Sequence, residues 1–239
     1  MRLPVLIYHK VESLCSRDQL TVTVAQLEAQ FSYLQQQHFS PISLSILIAH
    51  INKGNPLPPK PILISFDDGY RNNFTLLYPL LVKYGFKANI FLVADFVDRQ
   101  SPTPQESYLN VEDISQMDSH LVEFGLHTFD HKSYTSLTAS EIETDLQKMK
   151  QRFAELKIDC QPCFAYPYGA FPKRDPMLMR KWVALLQQSG IVLGFRIGNR
   201  INRLPFKKKF EIQRIDVKGN DPLWKFKLMC RFGRKWLPF

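Results

Sequence analysis

The chain has 239 residues, 45% of them hydrophobic and 22% charged, with 18 Phe and 9 Tyr. That is enough apolar material for a full core in one domain, and it excludes a disordered chain. No apolar run approaches the roughly 18 residues that a bilayer crossing needs. The first ten residues, Met-Arg-Leu-Pro-Val-Leu-Ile-Tyr-His-Lys, offer no small-residue cleavage site and do not read as a secretory signal. The expected location is the cytoplasm or the inner membrane face, or outside the cytoplasm if the true start lies upstream. The net charge of +9 is unevenly spread: the last forty residues hold twelve Lys and Arg against Glu211, Asp216 and Asp221, while the rest balances.

In chain order, an apolar run over residues 3–8 predicts a strand that ends at His9. Residues 24–38 place Leu27, Phe31 and Leu34 at helical spacing. The proline-rich stretch 55–61 interrupts any helix and leads into a strand over 62–66. Helices are expected over 76–84, 111–120, 140–156 (opened by Thr138 or Ser140) and 176–188. Strands are expected over 87–94, 122–126, 164–168, 191–197 and 210–217. Repeated strand-helix units predict an α/β fold with a mainly parallel sheet, open or closed into a barrel. In such folds chemistry gathers at the carboxyl ends of the strands. His9, Asp67 with Asp68, His127 with His131, and Tyr168 all follow apolar runs, so they are expected on one rim.

Two groups stand out chemically. Asp67 and Asp68 repel each other and, on a regular strand, face opposite ways, so the pair requires something positive nearby, with Gly69 letting the chain turn. His127 and His131 are four apart, a spacing that brings two imidazoles together on a helical turn. With a carboxylate from another strand end they supply the Asp/His/His set of a catalytic zinc with an open position. His38, His50 and His120 read as surface or packing residues, and Cys15, Cys160, Cys163 and Cys230 as structural.

Four segments carry a family resemblance: Ser65-Phe-Asp-Asp-Gly69, His127-Thr-Phe-Asp-His131, Phe164-Ala-Tyr-Pro-Tyr-Gly169 and Leu3-Pro-Val-Leu-Ile-Tyr-His-Lys-Val11. In chain order, over residues 3–217, they resemble the polysaccharide deacetylases with the NodB-homology domain. The first of them in the chain resembles the branch that acts on poly-N-acetylglucosamine. The resemblance implies a single-domain, distorted (β/α) barrel of about seven strands over residues 1–217, and a metal-dependent hydrolase that removes N-acetyl groups from N-acetylglucosamine units of a glycan. It implies one divalent ion, zinc, on Asp68, His127 and His131, with a metal-bound water as nucleophile. Asp67 would be the general base, Tyr168 would offer its backbone N–H to the oxyanion, and His9 would be the general acid. Tyr70, Phe129 and Tyr166 are candidates for packing on sugar faces.

Two departures matter. The third motif usually carries an Arg that orients the base, and Ala165 stands in its place. Arg214 is the expected substitute, with Arg196 as second choice. The late Leu-x-His motif of the chitin and peptidoglycan deacetylases is absent, since no His follows His131; this directs attention to His9. The missing Arg motivates a different class of reading, a catalytically silent carbohydrate-binding or assembly module on the same barrel. Residues 218–239 read as a basic amphipathic tail, with Lys227, Arg231, Arg234 and Lys235 on one helical face and Phe226, Met229, Cys230, Phe232 and Trp236 mostly opposite. Such a helix suits an anionic membrane surface and a lipid-linked sugar substrate, or it packs its apolar side on the barrel. Nucleic acid is not expected as a partner, because no recognition motif accompanies the charge.

Overall fold

The computed structural model describes residues 1–14, 18–99 and 107–236. Seven strands close a parallel barrel in sequence order: β1 (Val5–Tyr8), β2 (Pro61–Asp68), β3 (Ala88–Leu92), β4 (Val122–Leu126), β5 (Cys160–Ala165), β6 (Leu193–Ile197) and β7 (Ile212–Asp216). Each pairs with the next, and β7 closes the ring by pairing with β1. A short strand, Ser40–Ile42, joins the beginning of β2 from outside the ring.

The helices are α1 (Val24–Gln36), α2 (Leu44–Lys53), α3 (Tyr78–Tyr84), α4 (Val111–Ser115), α5 (Ala139–Glu155), α6 (Pro176–Gln188) and α7 (Leu223–Phe232). Capping fixes several of their starts: Thr23 and Thr138 form capping boxes with Gln26 and Glu141, and Asp175 caps α6. The helix expected over 111–120 is only one turn long, and the strand expected over 164–168 runs from Cys160 to Ala165. Sequence reading missed α2, although Ser43 caps it and Gly54, at φ 72°, ends it in the left-handed conformation.

Side-chain alternation divides the core in two. Val5, Leu63, Phe91, Cys163, Phe195 and Ile212 belong to one buried cluster, while their strand neighbours Leu6, Ile64, Ile90, Phe164 and Ile215 belong to the other, under the helices. The period of two on β2 therefore turns Leu63, Ser65 and Asp67 inward; on β7 it does the same for Ile212 and Arg214. A charged pair is thus delivered into the barrel by register alone.

The tail does not form the continuous basic helix expected of it. Gly233, at φ 82°, ends α7 after Phe232, and Arg234 turns inward to bind the Asp221 carboxylate and, at 3.0 Å, the Asp216 carbonyl. Phe226, Met229 and Cys230 are buried, with Phe226 edge-on to Tyr33 of α1 at 6.1 Å. These three side chains are therefore spent on the body of the protein, while Trp224 on the same helix stays exposed. Phe232 stands with the exposed residues instead. Cys15 and residues 237–239 lie outside the described residues.

Candidate metal centre

Asp67 and Asp68 end β2 side by side, and the backbone resolves their conflict. Asp67 follows the strand alternation inward, while Asp68 takes φ 72° and Gly69 φ 73°, so both carboxylates face the same rim. The left-handed conformation costs a non-glycine residue on the order of 1–3 kcal/mol and persists only where surroundings enforce it. Here the surroundings are a tight turn: Gly69 has no room for a Cβ, which would come within 2.7 Å of Leu92 Cδ2. The turn is pinned by hydrogen bonds from Leu109 N–H to the Gly69 carbonyl, 2.8 Å, and from Arg71 N–H to the Ser107 carbonyl, 2.8 Å.

The His127–His131 segment is a loop rather than the helical turn that the spacing suggested, with Thr128 at φ 69° and His131 at φ 63°. It brings the imidazoles together all the same. His127 Nε2 lies 3.4 Å and His131 Nε2 3.2 Å from Asp68 Oδ1, and the two rings are 4.9 Å apart. One ligand atom from each of Asp68, His127 and His131 lies within 4.8 Å of the others.

The chemistry of this donor set fits a cation. His127 is 1% exposed, and its Nδ1 donates to the Ala165 carbonyl at 2.7 Å, which leaves the Nε2 lone pair facing Asp68. Asp68 Oδ1 is buried without a hydrogen-bond partner. Acceptors converging on an unsatisfied carboxylate oxygen call for a positive centre, and two imidazoles with one carboxylate are a zinc-type set. Burial pushes the Asp68 carboxyl up, but the two imidazoles outweigh it and hold it well below the usual carboxylate range. Burial lowers the His127 imidazole, and Asp67 and Asp68 more than reverse that, so it is raised.

Asp67 has its own partner. Arg214 grips it with both terminal nitrogens, at 2.5 and 2.7 Å, and both side chains are buried. The Arg214 guanidinium also lies over the Phe91 ring, 5.4 Å from its centroid. Burial raises the Asp67 carboxyl, but Arg214 first and His127 next bring it below the usual value. Arg196 is elsewhere: it faces outward and meets Glu211 at 3.7 Å. Arg214 thus occupies the barrel interior above a strand ring in which position 165 carries only a methyl group.

His9 follows β1, half-buried, with its carbonyl accepting from Asn73 Nδ2 at 3.0 Å. Its charge bears on both Asp67 and Asp68. Tyr168 sits at φ 57° in the turn after β5, 69% exposed, its ring 4.7 Å from that of His131. Gly169 beneath it is packed so tightly that a Cβ would fall 2.5 Å from Ile197 Cβ. The three aromatic candidates separate. Tyr166 is fully buried against Phe171 and Trp182, and Phe129 lies under Lys148. Tyr70 stacks on Tyr108 at 5.1 Å; Tyr108 meets Phe96, which in turn faces His131. Sequence reading missed Phe96 and Tyr108, which carry no motif, and the Ala165 carbonyl, which no side-chain pattern reports.

Residues 54–182 match the family model for polysaccharide deacetylase. This span includes Asp67, Asp68, His127, His131 and Tyr168 and excludes His9 and Arg214. The chain is 29% identical over 173 residues to the Bacillus subtilis protein YxkH, covering 71% of this chain and 58% of that one. It is 25% identical over 203 residues to the poly-beta-1,6-N-acetyl-D-glucosamine N-deacetylase of Escherichia coli, covering 68% and 30%. Over 194 residues it is 25% identical to the enzyme of that name from Staphylococcus aureus, covering 75% and 62%. It therefore spans less than two thirds of each of these relatives. Among solved structures, IcaB from Ammonifex degensii superposes with a TM-score of 0.80 at 22% identity, over 98% of this chain and 97% of that one. PplD of Streptococcus pyogenes superposes with 0.78 at 17% identity, over 92% and 94%. These two similarities establish the barrel fold.

Proposed function

Because the chain belongs to the polysaccharide deacetylase family, we propose that it hydrolyses N-acetyl groups from N-acetylglucosamine units of a polysaccharide or glycoconjugate, using one divalent ion on Asp68, His127 and His131. The observation that carries this reading is the pairing of two functions at one strand end: a three-donor cation set, and beside it a carboxylate held ionised by Arg214. The S. aureus and E. coli relatives named as poly-beta-1,6-N-acetyl-D-glucosamine N-deacetylases favour that glycan as the substrate class.

A cation at this site, zinc by the character of the donors, supplies Lewis-acid polarisation of the acetamide carbonyl and makes water a better nucleophile. The protein's own residues then divide the proton work. Asp67 accepts the proton that the attacking water gives up; the Arg214 clamp keeps it ionised and fixes its orientation. The Tyr168 backbone N–H meets the negative charge that grows on the carbonyl oxygen, an interaction stronger in the transition state than in the substrate. His9 donates a proton to the departing nitrogen, which would otherwise leave as a strongly basic anion. The products are acetate and a glucosamine unit, and proton exchange with solvent resets Asp67 and His9. The exposed Tyr168 ring beside the site offers a face for a pyranose ring.

The test is acetate release from N-acetylglucosamine oligomers. Activity is expected in the zinc-loaded protein, with loss on chelation and recovery on adding zinc. Asp67→Asn is expected to abolish turnover, and His9→Ala to reduce it by a factor on the order of 10²–10⁴. Full activity in the presence of chelator would overturn the assignment.

A further inference from the structure

The loop bearing the second imidazole is built from conformations its residues do not favour: a β-branched Thr128 and His131 both at positive φ. Bonds from outside the loop must hold it. Part of the hold comes from the β3 side, where Ala94 N–H donates to the Thr128 carbonyl at 3.1 Å and Asp95 N–H to the Phe129 carbonyl at 2.8 Å. Within the loop, His131 N–H donates to Thr128 Oγ1 at 2.9 Å. The rest comes from one side chain of α5. Asp145 is 7% exposed; its Oδ1 accepts from Phe129 N–H at 3.1 Å and its Oδ2 from the Tyr134 hydroxyl at 2.7 Å. Those two donors flank His131 in the chain, two residues before it and three after.

Among the described residues no cation lies within ion-pair distance of Asp145; Lys132 bears on it only from farther off, and its close partners are the two hydrogen-bond donors. Its two oxygens, acceptors only, each face a donor. A carboxamide could keep the Phe129 bond and reverse the one to Tyr134, whose hydroxyl also accepts, whereas a side chain without acceptors would lose both. What the pair of acceptors holds is the reach of His131.

We propose that Asp145 is a positioning residue of the metal centre, tying Phe129 and Tyr134 to α5 so that the His131 imidazole stays beside Asp68 and His127. The inference rests on the reading of those three residues as a cation site, and it assigns to α5 a role that none of the sequence motifs contains.

The experiment measures zinc affinity of the full chain by competition with a chromogenic chelator, together with thermal melting of the zinc-free protein. Asp145→Ala, which removes both acceptors, is expected to weaken zinc binding roughly tenfold, the lower end of what loss of a partner bonded directly to a metal ligand costs, because these bonds reach His131 through Phe129 and Tyr134. Tyr134→Phe, which keeps the ring and removes one of the two bonds, is expected to weaken it by a smaller factor, and it carries the test if Asp145→Ala does not fold. Phe153→Ala, a core truncation on the same helix, is expected to lower the melting temperature while leaving zinc affinity of the folded protein unchanged. Wild-type affinity in both Asp145→Ala and Tyr134→Phe, whatever their melting temperatures, would overturn the inference and leave the metal site standing. Absence of zinc binding in the wild type would overturn the metal site and this inference with it.

Discussion

Asp67 and Arg214 form a buried ion pair whose value lies in what happens when one member is removed. Taking away the guanidinium leaves a buried carboxylate with His127, 3.6 Å away, as its remaining close partner, a change that costs up to about 3–5 kcal/mol. Arg214→Met is therefore expected to be less stable than wild type by about that amount at pH 7, measured by urea unfolding. The sign of the pH dependence follows from the two directions of shift. In the wild type the Asp67 carboxyl is held below its unfolded value of about 3.9, so its contribution is present above that value and is lost as pH falls through the lowered one. In the variant burial still raises the carboxyl and only His127 and His9 oppose it, so the carboxyl lies higher than in the wild type and acidification costs the variant less. The stability gap is expected to narrow as pH falls from 7 toward 4. A gap that stays constant would mean that Arg214 contributes through its packing over Phe91 and not through charge. At this scale much was legible in the sequence: Asp67, Asp68, His127 and His131 announce themselves because polar residues after apolar runs are conspicuous. Arg214 could be anticipated from the empty place at Ala165. Asp145 could not, because a carboxylate on a helix full of Glu and Lys carries no mark until the chain is folded around it.

Whole elements were readable where their hydrophobic period is clean, and the turns between them were not. Apolar runs located six of the seven barrel strands and touched only the end of β5, and the helices over 139–155 and 176–188 agree with their expected bounds to within a residue. The turns that aim the site depend instead on backbone conformations without a periodic signature. Asp68, Thr128, His131 and Tyr168 all have positive φ, and nothing but the adjacent Gly69 and Gly169 hints at two of them. Gly169 gives this a measurable form. It has φ +61°, and a Cβ there would fall 2.5 Å from Ile197 Cβ and 2.7 Å from the Ile197 nitrogen, whereas Gly54 at φ +72° has nothing within 4 Å. Both Gly→Ala changes carry the left-handed penalty of about 1 kcal/mol. Gly169→Ala must in addition push the turn away from β6, and Tyr168 with it. Gly169→Ala is expected to melt well below Gly54→Ala and to lose the proposed deacetylation, while Gly54→Ala keeps wild-type turnover. Equal melting temperatures and equal turnover in the two variants would show that the turn yields without cost.

Over the whole molecule, the distribution of charge suggested a detachable basic tail, and the fold spends part of that charge internally. Arg214 is sealed inside the barrel, and Arg234 and Lys225 are committed to Asp221, so at least three of the twelve basic residues that make up the C-terminal excess serve the structure. The composition of a segment does not reveal which of its cations will be buried; that depends on register in β7 and on where Gly233 stops α7. The apolar side of α7 follows the same logic. Phe226 has no exposed surface and Met229 none, and together they cover the flank where α1 presents Tyr33, with Lys227 reaching across that ring at 5.4 Å. Phe226→Ala should remove about 3–5 kcal/mol, which in a chain of this size is a fall in melting temperature on the order of 10 °C. Lys227→Ala touches a half-exposed ring contact and should change it by only a degree or two. Truncation after Asp221 removes the same burial together with the Arg234 bonds, and is expected to lower the melting temperature at least as far as Phe226→Ala does. If the truncated chain instead melted with the wild type, α7 would be an appendage resting on the barrel, and its buried face would be free to serve another partner.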